Sequence, residues 1–170
     1  MNERAVTASD RVFLLAVYAD SRCEELMSLG WAAQQIAAFA EMQFGFQQRF
    51  YEMRYPAADH CILLCEGVDA GQWRVHRSED EFVLVDISLL ARFRGKGIGS
   101  ARIGELCREA GRRGAGVRLD VRLDNRALRL YRRLGFEETG RDETNIRLSW
   151  RSPSGHSRPA SDVERRAPHG

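Results

Sequence analysis

Residues Arg92 to Leu106 read RFRGKGIGSARIGEL, with glycines at 95, 97 and 99 alternating with Lys96 and Ile98. An apolar run, EFVLVDISLL at 81–90, precedes this stretch, and an amphipathic pattern follows it at once. A helix N-terminus leaves its first amides unpaired and carries partial positive charge. Glycines ahead of it let an anion approach the backbone closely. Arg94 and Lys96 add full charges. The chemistry these residue types suit at this spacing is capture of a diphosphate. The stretch is not GxxxxGK[ST], because no glycine stands five residues ahead of a Gly-Lys-Ser/Thr. Nor is it GxGxxG, since the glycines are spaced two apart. A tight strand-to-helix turn with incidental basic residues is the plain structural alternative.

The elements around this loop follow from apolar periodicity. Asp10 is expected to cap a helix running to about Ser28, with Phe13, Leu14, Val17 and Tyr18 at helical spacing and Gly30 ending it. A second helix is expected over about 32–54, its apolar positions including Ile36, Phe39, Ala40, Phe46 and Phe50, with Pro56 closing it. The period then changes. HCILLCEG reads as a strand, GVDAG as a turn and QWRVHR as its hairpin partner. In EFVLVDISLL, Val83, Val85, Ile87 and Leu89 fall on one face, and Phe82, Leu84, Asp86, Ser88 and Leu90 on the other. Both faces are mainly apolar, which predicts a central strand covered on both sides. A helix over about 100–113 buries Ile103, Leu106, Cys107 and Ala110. VRLDVRL then alternates as a strand with Val117, Leu119 and Val121 inward. Asn125 opens a short helix to about Leu134, and FEETG and TNIRLSW close the chain as a strand pair. The strand–helix–strand unit in the middle implies a parallel pair inside a mixed sheet.

Composition bounds the class. The 170 residues are 44% hydrophobic, which suits one domain, expected over 1–150, with a polar tail over 151–170 that has little to bury. No apolar run reaches the roughly 18 residues of a membrane span, and the N-terminus lacks a signal peptide's apolar centre. The four cysteines, Cys23, Cys61, Cys65 and Cys107, match no common zinc spacing and are expected as reduced, buried thiols. A cytoplasmic address, no metal and no membrane partner are the corresponding expectations. Net charge is +2, unevenly spread: residues 1–91 carry −7 and residues 92–133 carry +9. The basic block lacks interleaved stacking aromatics, so nucleic-acid binding is not expected.

Arg94 to Gly99, R-G-K-G-I-G, resembles the Q/R-x-x-G-x-G/A signature of the GNAT superfamily of N-acetyltransferases. NRALRLYRRLGF, Asn125 to Phe136, resembles that family's N-x-x-A-x-x-L-Y-x-x-x-G-F motif with one residue fewer between Asn and Ala. The resemblance covers about 61–150. The family's first strand has only RAVT to draw on here. The resemblance implies an α/β (α+β) fold: a mixed, mostly antiparallel central sheet, a splayed parallel strand pair, and helices on both faces. It also implies acetyl-CoA as cosubstrate. Amides from Gly95 through Lys96, Gly97, Ile98 and Gly99 to Ser100 would hold the pyrophosphate, with the charge of Arg94. The backbone at Leu89 and Leu90 would pair with the pantetheine arm, where the family often has Pro at the position of Ala91. Asn125 would stand near that arm or cap its helix.

The implied reaction is direct attack of a neutral primary amine on the thioester in a ternary complex. A backbone amide near Leu90 would polarise the carbonyl. Tyr131 matches the family's tyrosine acid, and a phenol with pKa about 10 is protonated at neutral pH, as an acid must be; core packing is its alternative role. Asp86 would take the amine's proton, with Glu81 as second candidate and a paired structural carboxylate as the alternative for Asp86. The acidic N-terminal half would favour a cationic amine, of a small molecule or a peptide, in a pocket lined by Trp31, Phe44 and Tyr51. A non-catalytic acyl-CoA sensor is the competing function, and a homodimer is compatible with the sequence without being specified by it.

Overall fold

Thr7, not Asp10, opens the first helix. The Asp10 carboxylate accepts from the Thr7 amide at 2.8 Å and from its hydroxyl at 2.9 Å, reaching back from the end of a short 3-10 turn. Helix α1 (Arg11–Ser28) continues from that turn, and Gly30, at φ +77°, ends it. The computed structural model describes residues 2–28 and 30–153; the tail expected from 151 on lies almost wholly outside the described residues. Helix α2 (Ala33–Arg54) buries Ile36, Ala40 and Phe44. Phe46 and Phe50, expected inward, are more than half exposed. At 100° per residue the face through 36, 40 and 44 continues through 47, 48 and 51, which leaves 46 and 50 outside.

Seven strands form one sheet in the order β1-β2-β3-β4-β5-β7-β6. They are β1 (Asn2–Ala5), β2 (Asp59–Cys65), β3 (Val68–Arg77), β4 (Glu81–Leu89), β5 (Gly116–Arg122), β6 (Glu137–Arg141) and β7 (Asn145–Trp150). The short first strand is therefore present, four residues long, antiparallel to β2. Only β4 and β5 run parallel. The β2–β3 turn is tighter than GVDAG: Glu66 (φ +53°) and Gly67 (φ +80°) make a two-residue hairpin loop, and Val68 to Gly71 belong to the strand. α3 (Ile98–Arg112) and α4 (Leu128–Arg133) complete the element set.

Two cores flank the sheet. One lies under α3 and α4 and includes Trp73, Phe82, Leu84, Leu106, Leu119 and Tyr131. The other lies under α1 and α2 and includes Leu14, Tyr18, Phe44 and Ile62. A bulge at Val85 corrects the expected faces of β4. Arg74 pairs with Asp86 and Val75 with Leu84, so one residue of β4 has no partner. Phe82 and Leu84 therefore share the α3 side with Ile87 and Leu89. Asp86 and Ser88 turn to the other side, below α1 and α2. Cys107 is buried as expected, but Cys61 and Cys65 are half-buried; all three are free thiols. The side chain of Cys23 lies outside the described residues.

Candidate active site

The parallel pair β4–β5 opens like a V. It is registered at Glu81–Gly116, Phe82–Val117 and Val83–Arg118, and no further. Beyond that point β4 stays on β3, while β5 follows β7 out to Arg122. Leu90 turns its amide to β3 and donates to Ala70 O at 3.0 Å. Strand alternation then aims the peptide groups of Leu89 into the gap. Of the two residues expected to face the opening, Leu89 does so and Leu90 does not. Gly71 makes this stretch of β4 reachable: a Cβ there would sit 2.1 Å from Ser88 O.

The loop between β4 and α3 begins with a 3-10 turn, Ala91–Phe93. Gly95 and Gly97 take φ +72° and +80°, and a Cβ on either would meet nothing within 4 Å. The glycines thus serve backbone conformation beneath open space. Ala101 N to Gly97 O is the first bond of α3, so the amides of Ile98, Gly99 and Ser100 precede the ladder. The helix start has no side-chain cap. Ile98 is buried, while Lys96 is exposed with its ammonium 5.6 Å from the Phe93 ring. Arg94 does not stand free over the loop. Its guanidinium donates to Asp20 Oδ2 at 2.5 Å and to Leu89 O at 2.8 Å. Asp20 Oδ2 also accepts from Ala91 N at 2.8 Å. Sequence reasoning missed Asp20, which ties α1 to both ends of the loop; a lone carboxylate on a helix gives no signal of its own.

Asp86 lies on the α1–α2 face at the mouth of the V, partly buried. Its Oδ2 accepts from Gln72 Nε2 at 2.9 Å and its Oδ1 from Ser88 Oγ at 2.9 Å. Burial pushes its carboxyl up to about 6, against the pull of the Ser88 hydrogen bond and of the Arg74 and Arg22 charges. Tyr131, 5% exposed, packs edge-on to Phe136 at 5.8 Å. Burial first, and the charge of Asp86 second, raise its phenol well above the ordinary value. Tyr51 is raised in the same way, by burial and then by Asp86. Asp86 thus lies near enough to two protonated phenols for its charge to be felt, Tyr51 on α2 and Tyr131 in the core on the other face of the sheet. Glu81 sits at the opposite end of β4 and is paired with Arg118 at 2.9 Å, which removes it as second candidate base. Asn125 caps a turn: its Oδ1 accepts from Ala127 N at 2.7 Å, and α4 starts three residues later than expected, at Leu128.

The acceptor side differs from the sequence expectation. Phe44 is 1% exposed inside the α1–α2 core, and Trp31 packs on Phe39 between the two helices. Only Tyr51 of the three reaches Asp86. Several carboxylates of the N-terminal half are held in ion pairs: Asp10 and Asp69 by Arg4, Asp20 by Arg94, Glu41 by Arg11 and Asp59 by Arg77. What stands beside Asp86 is a polar row that sequence reasoning missed. Arg74 Nη2 donates to His60 Nδ1 at 2.7 Å, so the ring proton sits on Nε2, which donates to Gln72 Oε1 at 3.0 Å. Burial and Arg74 both press His60 toward neutrality. Alternation along β3 placed these residues on one face, but nothing local marked that face as polar.

Among the described residues no group of His, Cys, Asp and Glu is arranged to hold a metal, and no helix is long and apolar enough to cross a membrane. No curated protein matches the chain. Solved structures do. The PaiA N-acetyltransferase from Thermoplasma acidophilum, solved with coenzyme A, superimposes with a TM-score of 0.68 at 15% identity, over 89% of this chain and 98% of its own. The ribosomal-protein-S18-alanine N-acetyltransferase from Escherichia coli gives 0.58 at 20%, over 88% and 92%. Aminoglycoside 6′-acetyltransferase type Ii gives 0.52 at 17%, over 89% and 97%. At such identities these likenesses speak for the fold. Residues 56–138, from the start of β2 to β6, match the family model of the acetyltransferase (GNAT) domain. That segment holds the strand V, the glycine loop and Tyr131, and it is an acetyltransferase domain of the GNAT superfamily.

Proposed function

We propose that this chain transfers an acetyl group from acetyl-CoA to a primary amine by direct attack within a ternary complex. The observation that carries the reading is the V between β4 and β5, which opens beside the uncapped glycine loop, with Asp86 on β4 beyond the last paired residue and the protonated Tyr131 on α4. The loop fits a pyrophosphate, because open space lies over Gly95 and Gly97 where unpaired amides begin α3. Gly95 to Ser100 would hold that group, with Lys96 adding charge. Arg94 would act through its tie to Asp20, shaping the loop. Asn125, at the turn before α4, would stand beside the pantetheine arm.

Acetyl-CoA supplies the activated acyl carbon as its thioester. The Leu89 amide, free of β3, donates to the acyl oxygen and favours the charge that grows there. Asp86 accepts a proton from the attacking nitrogen; each of its oxygens keeps a lone pair beyond the bonds to Gln72 and Ser88. Tyr131, held protonated by burial, gives its proton to the departing sulfur. A C–N bond forms as the C–S bond breaks, and one proton passes in net from amine to thiol.

The test is thiol release from acetyl-CoA across an amine panel, together with calorimetry of CoA binding. Tyr131→Phe should lower kcat about 10–10⁴-fold with little change in CoA affinity. Undiminished turnover would remove Tyr131 from the chemistry. CoA binding with no thiol release from any amine would instead point to a sensor.

A further inference from the structure

Two charged side chains are fully buried among the described residues, Asp10 and Arg74. Asp10 is matched by Arg4. Arg74, 6% exposed, closes no ion pair among the described residues, although the charges of Asp86 and Glu52 are near enough to favour its own. Burying a charge is costly, and leaving it without a counter-ion is costlier than pairing it. The described hydrogen bonds of Arg74 all run through Nη2, to Gln48 Oε1 and His60 Nδ1, each at 2.7 Å. A guanidinium offers five N–H donors, so Nε and Nη1 keep donors in hand. The cation is sandwiched onto the Tyr51 ring at 5.2 Å.

A second observation lies beside it. Gln48 Nε2 is buried and has no hydrogen-bond partner. The amide cannot turn over to mend this, because its NH2 would then face the guanidinium, donor against donor. Two adjacent groups thus present unused donors over the face of the sheet that α1 and α2 cover. Beside them is Asp86, directly opposite Arg74 in the β3–β4 register. Its oxygens are bound by Gln72 and Ser88, not by Arg74. A carboxylate and a guanidinium therefore stand a cross-strand pair apart, about 5 Å at the backbone, without joining each other. That is a dipolar seat, with one pole for an ammonium or amine and one for an anion.

We propose that the acceptor is a small amine that also bears a carboxylate, an amino acid or a compound of that kind, with its nitrogen at Asp86 and its carboxylate on Arg74 and Gln48 Nε2. This rests on the acetyltransferase reading and narrows it. It also narrows the cationic amine, of a small molecule or a peptide, suggested by the charge of the N-terminal half.

The experiment compares matched acceptors, such as β-alanine with ethylamine and lysine with cadaverine, by thiol release. It adds calorimetry of the same compounds with the CoA-saturated protein. The carboxylated member of each pair is expected to lead by at least about 10-fold in kcat/KM, the scale of a charge-assisted bond. Arg74→Gln should collapse that preference toward 1 through KM, and Arg74→Lys should restore part of it. Gln48→Leu, on the helix and remote from the sheet ladder, should weaken carboxylate binding about 3–10-fold and guards against misfolding of the Arg74 variants. Faster turnover of the plain amines, or an Arg74→Gln loss equal for both members, would overturn the proposal while leaving acetyl transfer intact. Arg74-dependent binding of amino acids without thiol release from any amine would uphold the seat and sink the transfer.

Discussion

Asp86, the proposed base, would serve catalysis at the expense of the fold. Arg74 from β3 and Arg22 from α1 favour its charged form, its own charge is felt by Tyr51 on α2 and Tyr131 on α4, and His60 is linked to it through Gln72. Burial outweighs the two cations and raises the carboxyl to about 6. A base with that value works at neutral pH, and kcat/KM should fall with a single-proton slope below about pH 6. The same shift has a stability sign. The folded state holds the proton more tightly than the unfolded chain, so stability falls as pH rises from about 4 to about 6 and stays lower above it. Asp86→Asn should therefore stabilise the protein by about 1–3 kcal/mol at pH 8, and by about half as much at pH 5, while slowing turnover. Urea unfolding at the two pH values checks this; an equal gain at both would mean that charge is not the cause.

At the scale of elements, the site is made by a strand pair that stops pairing, and by a neighbour that comes close. β3 approaches β4 at Gly71, where any side chain would collide with the Ser88 carbonyl. Gly71→Ala should cost about 2–4 kcal/mol and displace the Leu89 peptide, weakening CoA binding as well. Gly97→Ala meets open space and should cost about 1 kcal/mol, for its positive φ alone. A larger loss at position 97 than at 71, by urea midpoint, would reverse this ranking. The contrast also marks what was legible. Element order, the central strand, the amphipathic α3 and the glycine loop could be read, because each is written in the period of one segment. The bulge at Val85 could not, since it is a property of two strands in register; missing it put Phe82 and Leu84 on the face of Asp86. Phe46 and Phe50 misled for a related reason: α2 carries apolar residues on two faces, and only the fold chooses which one turns inward. Arg74, Gln72 and His60 are scattered over two strands and become a row only when β2, β3 and β4 align.

Over the whole molecule, ion pairs cross between the acidic and the basic region: Arg94 reaches Asp20, and Arg102 reaches Glu3. The Asp20 tie has a further consequence. It joins α1, which belongs to one core, to the loop that starts α3, which belongs to the other. A coenzyme seated on that loop is bound only by the assembled molecule, so it stabilises the whole fold by mass action. At 100 times its dissociation constant the gain is about 2.7 kcal/mol. For a chain of this size that corresponds to a rise in Tm of about 5–11 °C. Asp20→Asn keeps the side-chain shape but removes the charge that holds Arg94. The loop then has to be ordered by the ligand, and part of the binding energy is lost to that ordering. Its CoA-induced rise at the same CoA concentration should be smaller than that of the unaltered chain, with the unliganded Tm shifted less than the liganded one. Scanning calorimetry at a fixed, saturating CoA concentration decides it. An identical rise in both proteins would show that the loop holds its shape without α1, and that the two sides of the sheet are independent at this site.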